Sequence, residues 1–369
     1  MTQSNIKWVP LSEFIEPFKK KCGDSDAKVS GVDINKQFID TRAVMDGIDV
    51  SKYYLVPPKH FACNLMHIGR DERLPIAYNS SDDNLVVTSA YYVFCIKESK
   101  REEILDEFLY IFFNSKEIDR LTWFYTDSSV RGNLKESRFL DILIPIPSID
   151  AQRRIVDTWT HLREVKEQNE SIAEPLFQLC HSYIQELKRE YELKPIGGYI
   201  RNVTEKNSDL EITLEQGINI KKEFITPQRS NSNLATRVKV RKGQFAYCTQ
   251  LNNENVAIAY RTGEDCVVSP VYEVFEIIDE TLVIPEYLFL WLIRPEFGRF
   301  VYWGSVGSAY EFLRWEDLSS SRIAIPSIEI QQAIVNIFHC AKEAKRIAEE
   351  ADKLSREICP ALIQKVIHE

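Results

Sequence analysis

Ile144-Pro145-Ile146-Pro147-Ser148-Ile149-Asp150-Ala151-Gln152 runs on into Ile155-Val156, and the same design returns as Ile323-Ala324-Ile325-Pro326-Ser327-Ile328-Glu329-Ile330-Gln331, running on into Ile334-Val335. Each copy closes an apolar extended run and opens a long helical pattern. Proline ends a strand ladder because it has no N–H to donate. Serine is a favoured N-cap, and an acid in the first turn faces the positive end of the helix. The two junctions lie 179 residues apart. One unit written twice is the simplest reading.

The repeat extends outward from the junctions. Gly31-Val32-Asp33-Ile34-Asn35-Lys36-Gln37-Phe38-Ile39 aligns without a gap on Gly217-Ile218-Asn219-Ile220-Lys221-Lys222-Glu223-Phe224-Ile225. Residues 56–62 (VPPKHFA) match 240–246 (VRKGQFA), each an extended segment, a turn and a strand. Ile76-Ala77-Tyr78 matches Ile258-Ala259-Tyr260, and Val86-Val87-Thr88-Ser89 matches Val267-Val268-Ser269-Pro270. β-branched and aromatic residues in alternation, punctuated by Gly, Pro and Asn, predict short strands. A helix follows in each half, from Glu107 to near Arg120 and from Glu286 to near Arg299. A polar loop then leads to Leu134 or Leu313, each 13 residues before its junction proline.

After each junction the pattern changes to long amphipathic helices. Apolar positions recur three and four apart at Trp159, Leu162, Ala173, Leu176, Cys180, Tyr183 and Leu187, with Lys166 and Asn169 on the seam. The second tail has Phe338, Ala341, Ala348, Ala351, Leu354 and Ile358. Pro175 and Pro360 are expected to kink these helices or divide each in two. The two tails are the obvious partners for each other. The expected fold is α+β: two repeated domains, 1–148 and 194–326, separated by spacer helices 149–193 and 327–369 packed as an antiparallel coiled coil.

The chain has 369 residues, 44% of them hydrophobic and 27% charged, with a net charge of −9. That is a globular balance with room for two cores. Neither half is a basic domain, so any contact with nucleic acid must come from locally placed charge. The residues Ser4 to Trp8 form no apolar h-region and no run reaches the length of a membrane span, so a cytoplasmic protein is expected. The eight cysteines form no C-x-x-C pair, which fits reduced thiols.

Motifs for catalysis are missing. The sequence has no phosphate-binding G-x-x-x-x-G-K-[ST] loop, no G-x-S-x-G elbow and no H-E-x-x-H. The six histidines are dispersed, without metal-ligand spacing. A chain built twice around no shared catalytic group suits a binding scaffold.

The doubled junction, the paired α+β domains and the long helices together resemble the specificity subunit of type I restriction-modification systems. The usual junction of that family is closer to Pro-x-Pro-Pro-x-x-Glu-Gln. Here Ser148 and Ser327 replace the second proline of the pair, and one residue separates the acid from Gln152 or Gln331. The family often carries a Ser/Thr-x-Arg-x-x-Leu loop, which Ser129-Val130-Arg131-Gly132-Asn133-Leu134 fits. The second copy puts Tyr310 where the arginine would stand, with Arg314 as its replacement.

The resemblance implies a non-catalytic subunit acting in phage defence. Each domain would read one half of a bipartite double-stranded DNA target, and the helices would dock two methyltransferase subunits. Restriction subunits would join for cleavage. No cofactor is expected on this chain; S-adenosylmethionine, and ATP with Mg, belong on the partners.

Candidate DNA-contacting residues fall in loops and on one strand. In the first half they are Arg70, Arg73, Arg131, Asn133 and Lys135. In the second they are Arg229, Arg237, Lys239, Arg241, Gln250, Asn252, Asn253, Tyr310 and Arg314. Asn and Gln can pair bidentately with adenine, and Arg with guanine or phosphate, but the same residues equally suit an ordinary Asn-rich or solvated turn. Arg237, Lys239 and Arg241 alternate with valines, which puts three cations on one strand face. Such a row can follow a phosphate backbone, or can protect an edge strand with charge. The rival of another class is a structural adaptor, with two protein-binding modules on a helical spacer and no DNA role.

Overall fold

The computed structural model describes residues 6–23, 28–41, 49–66, 68–127, 132–227, 233–251, 256–304 and 312–368. The chain divides into two compact units, Met1–Asn169 with Arg346–Glu369, and Glu170–Lys345. Each long helix gives one part of its length to each unit.

The first unit begins with β1 (Lys7–Pro10), α1 (Leu11–Phe14), β2 (Ile15–Pro17), β3 (Lys28–Val32), β4 (Phe38–Asp40), β5 (Tyr54–Val56) and β6 (Phe61–Cys63). It continues through α2 (Ile68–Asp71), β7 (Ile76–Tyr78), β8 (Leu85–Val87) and β9 (Tyr92–Ile96) to α3 (Asp106–Phe113), α4 (Lys116–Phe124), α5 (Glu136–Leu140) and β10 (Leu143–Ile146). Strands β2-β9-β6-β7 form the central sheet, β4-β3-β8-β5 a second, and β1 pairs with β10. Phe61 faces Phe94 across β6 and β9 with rings stacked 4.9 Å apart. Those two rings join Phe108, Phe113 and Phe139 in one buried core.

The junction then starts α6 (Ile149–Glu190). Ser148 accepts from the Ala151 amide at 3.3 Å, so it caps this helix as its position predicts.

The second unit repeats the plan. Its strands are β11 (Lys194–Pro195), β12 (Ile200–Asn202), β13 (Gly217–Ile218), β14 (Phe224–Ile225), β15 (Val238–Val240), β16 (Phe245–Cys248), β17 (Ile258–Tyr260), β18 (Cys266–Val268) and β19 (Tyr272–Ile277). After them come α7 (Pro285–Leu292), α8 (Pro295–Gly304), α9 (Trp315–Ser320), β20 (Arg322–Ile323) and α10 (Ile328–His368). The sheet order β12-β19-β16-β17 reproduces that of the first unit, and β11 pairs with β20 as β1 does with β10. Phe245 stacks on Phe275 at 4.7 Å, the counterpart of the Phe61–Phe94 pair.

The single helix expected after the strands is two helices in each half. Ser115 caps α4 by accepting from Ile118, and Pro295 opens α8, where its missing N–H costs nothing. Pro175 and Pro360 divide neither long helix; both lie inside unbroken helical spans. One lost donor is a local defect that packing on the remaining faces outweighs.

The helices pair as the sequence predicts. In the first unit Ile155, Trp159 and Leu162 of α6 share a core with Cys359, Leu362 and Ile363 of α10. In the second, Phe177, Cys180 and Ile184 of α6 share one with Ile334, Val335 and Phe338 of α10. The start of each helix meets the end of the other, so the pair is antiparallel. The seam residue Lys166 finds Asp352 at 2.9 Å.

Candidate nucleic-acid interface

Two stretches carry most of the candidate residues in each half, and the fold brings them together. In the first half they are residues 64–75, between β6 and β7, and the loop before α5. The Leu134 amide donates to Leu65 at 2.8 Å, and the Gly69 amide donates to Gly132 at 3.1 Å. Gly132 has φ +59°, and a Cβ there would lie 2.3 Å from the Gly69 Cα. Only glycine allows this approach. Asn133 exchanges bonds with Asp127, its amide donating to the carboxylate at 3.1 Å and its carbonyl accepting from the Asp127 amide at 2.9 Å. Arg70 belongs to α2, Arg73 is exposed just beyond it, and Lys135 is exposed at the start of α5.

The second half has the same contact. The Leu313 amide donates to Thr249 at 2.8 Å, and Gln250 forms a bridge with Phe312. Gln250 is exposed, as is Arg314 at the start of α9. Arg314 follows Leu313 as Lys135 follows Leu134, so each half presents a cation at this point. Arg131, Arg229, Asn252, Asn253 and Tyr310 lie outside the described residues, and Arg70 is described in its backbone only.

The strand cations are different. Lys239 is 2% exposed and meets three carboxylates, Glu205 at 2.9 Å, Asp209 at 2.7 Å and Glu211 at 3.0 Å. Hydrogen bonds to Asp209 and Glu205 hold its ammonium well above the usual lysine range. Arg237 is buried against Glu215 at 2.5 Å, and Arg241 bonds Glu211 at 3.0 Å and Asp265 at 3.4 Å. Val238 and Val240 do face the core, so the alternation is as expected. The row along a phosphate backbone is corrected for Arg237 and Lys239: their charge is spent on acids of their own domain. Of the two readings of this strand, the geometry favours the structural one.

Two further features are not among the predicted DNA contacts. Gln152 is fully buried; its amide donates to Glu103 at 2.8 Å and Pro147 at 3.0 Å, and its oxygen accepts from Leu105 at 3.0 Å. Gln331 does the same with Leu282 at 2.9 Å, Pro326 at 3.0 Å and Ile284 at 3.0 Å. The junction glutamine thus ties the start of each long helix to the segment entering α3 or α7. The second feature is Lys36 and Lys222, alike in the repeat, each at the tip of a hairpin with φ of 64° or 65°. Among the described residues no cluster of His, Cys, Asp and Glu could hold a metal ion, and no helix is long and apolar enough to cross a membrane.

Residues 70–175 match the family model described as the type I restriction modification DNA specificity domain. The resemblance read from the doubled junction is borne out. That match runs from α2, through the loop before α5, into the central helix. Among solved structures, the S subunit of a type I restriction-modification system from M. genitalium has a TM-score of 0.63 at 12% identity, covering 99% of this chain and 97% of that one. The likeness is one of fold. The HsdS subunit from Thermoanaerobacter tengcongensis matches at TM-score 0.40 and 15% identity, over 100% and 99% of the two chains. A chain from a structure on complex assembly and conformational transition of the type I R-M system matches at 0.44 and 14%, over 99% and 98%. No curated protein matches.

Proposed function

We propose that this chain is the DNA-sequence-recognition subunit of a type I restriction-modification complex, each domain reading one half of a bipartite target. The observation that carries this reading is the doubled meeting of two loops: residues 64–75 against the loop before α5, and residues 249–251 against Phe312 and Leu313. Gln250, Arg73, Lys135 and Arg314, all exposed, are the described side chains offered for contact. Lysine and arginine there would position the duplex by its phosphates, and Gln250 with the neighbouring asparagines would select bases. The family match over residues 70–175 supports this choice over an adaptor.

The paired helices dock methyltransferase subunits in this reading, and restriction subunits join for cleavage. The chain itself performs no chemistry. S-adenosylmethionine, and ATP with Mg, are held by the partners. The net charge of −9 then presents no obstacle, because partner subunits supply much of the attraction to DNA.

The test is reconstitution. The chain is co-expressed with a type I methyltransferase subunit, and methylated adenines are mapped across the host genome. One interrupted motif, present only with the chain, is the expected result. Methylation unaltered by leaving the chain out would favour the adaptor.

A further inference from the structure

Lys36 and Lys222 stand at the same place in the two repeated hairpins. Asp33 and Gln37 close the first, Asn219 and Glu223 the second, through amide-to-carbonyl bonds of 3.0 Å each. Both lysines adopt the left-handed backbone conformation, which glycine or asparagine would fill with less strain. Lys36 is 4% exposed and Lys222 is partly buried. Burying an ammonium is costly unless it is partnered. A strained backbone and a buried cation, kept in both halves, point to a role beyond turn formation.

The two side chains end at equivalent points by different routes. Lys36 donates to the Phe113 carbonyl at 2.5 Å and to the Asp119 carboxylate at 2.7 Å, and that same carboxylate oxygen accepts from the Leu74 amide at 3.0 Å. Tyr110 locks the lysine backbone by donating to its carbonyl at 2.7 Å. Lys222 donates directly to the carbonyl of Val256. Leu74 lies two residues before Ile76-Ala77-Tyr78, and Val256 two before Ile258-Ala259-Tyr260. Each is buried, and each lies on the returning end of the β6–β7 or β16–β17 connection. Those connections carry Arg70 and Arg73, and Gln250, Asn252 and Asn253.

We propose that Lys36 and Lys222 are positioning residues for base selection, each fixing the returning end of the connection that reads DNA in its own half. This rests on the proposed reading of one half-site by each domain. A loop hinged at one end samples many placements. Fixing its second end narrows the positions its side chains present to a groove, which is what discrimination between bases needs. In the first half the fixing runs through Asp119 of α4; in the second it is made without an intermediary.

The experiment uses the full chain in complex with its methyltransferase, with Lys36→Met, Asp119→Asn, Lys222→Met and Lys222→Arg variants, and reads the methylated motif together with the melting temperature. Lys222→Met is expected to lower discrimination in the second half-site by about tenfold, the scale of one charge-assisted hydrogen bond, and to leave the first half-site unchanged. Lys222→Arg, which keeps a donor, restores most of it. Lys36→Met and Asp119→Asn relax the first half-site only. Should either methionine variant fail to fold, Lys222→Gln and Asp119→Asn decide the same question. A lower melting temperature with both half-sites read as sharply as in the wild type would overturn the proposal and leave the lysines as hairpin staples. A wild-type complex that selects no bipartite motif would instead refute DNA reading itself, and the proposal with it.

Discussion

Gln152 and Gln331 show how much one side chain can hold. Each satisfies two carbonyls and one amide that the fold has removed from water. Gln152→Leu keeps the volume and strands all three groups. It is expected to destabilise the first unit by roughly 2–4 kcal/mol, since unsatisfied buried groups cost more than a satisfied bond contributes. Urea unfolding of the variant measures it. Lys222 gives a prediction in pH. Burial alone lowers it from 10.5 to about 8. Between those values the folded chain has released a proton that the unfolded chain still binds, so stability from this group rises with pH across that window and is flat below it. The melting temperature of the wild type should climb relative to Lys222→Met from pH 8 to 10.5; a constant difference would place Lys222 in water. At this scale the sequence was only partly legible. Ser148 announced itself as a cap, because capping is local. Gln152 and Lys36 did not, because their partners lie 47 and 77 residues away.

At the scale of elements, the repeat was legible because strand alternation and helical spacing are local patterns that both halves carry. The order of the central sheet is the same in each. The break between α3 and α4 was missed because the polar residues there, Asn114 to Glu117, also fit one exposed turn of a longer helix, and Ser115 reads equally well inside a helix. The cationic strand was legible in its alternation but not in its partners: Glu205, Asp209, Glu211 and Glu215 precede it by 22 residues or more, as counted from Arg237 to Glu215. The contrast between loops and strand can be measured. Lys135→Ala and Arg314→Ala should each lower the salt slope of DNA binding by about one, as loss of a single phosphate contact does. Lys239→Met should leave that slope unchanged and make the second unit less stable. An equal drop in slope for Lys239→Met would return the strand to the interface.

For the whole molecule, the antiparallel helices are proposed as a ruler that sets the unread gap between half-sites. An insertion after Glu192 would lengthen the link and not the helix, because α6 ends at Glu190. The added turns belong instead between Asn169 and Glu170 and between Lys345 and Arg346, where the compact units divide. Seven residues in each helix return the apolar face to within about 20° and add about 10 Å. At ~3.4 Å per base pair the gap should grow by about three base pairs, with the bases read unchanged. Methylated-motif sequencing of the variant gives the gap directly. An unaltered gap would assign spacing to the partner subunits.

Each half is proposed to read its own half-site, and exchange of one half is the decisive test. Residues 1–148 are replaced by the same region of a related specificity subunit, and the methylated motif of the hybrid complex is sequenced. One half of the motif is expected to change to that of the donor while the other half and the gap stay as they were. A motif in which both halves change, or neither does, would contradict it.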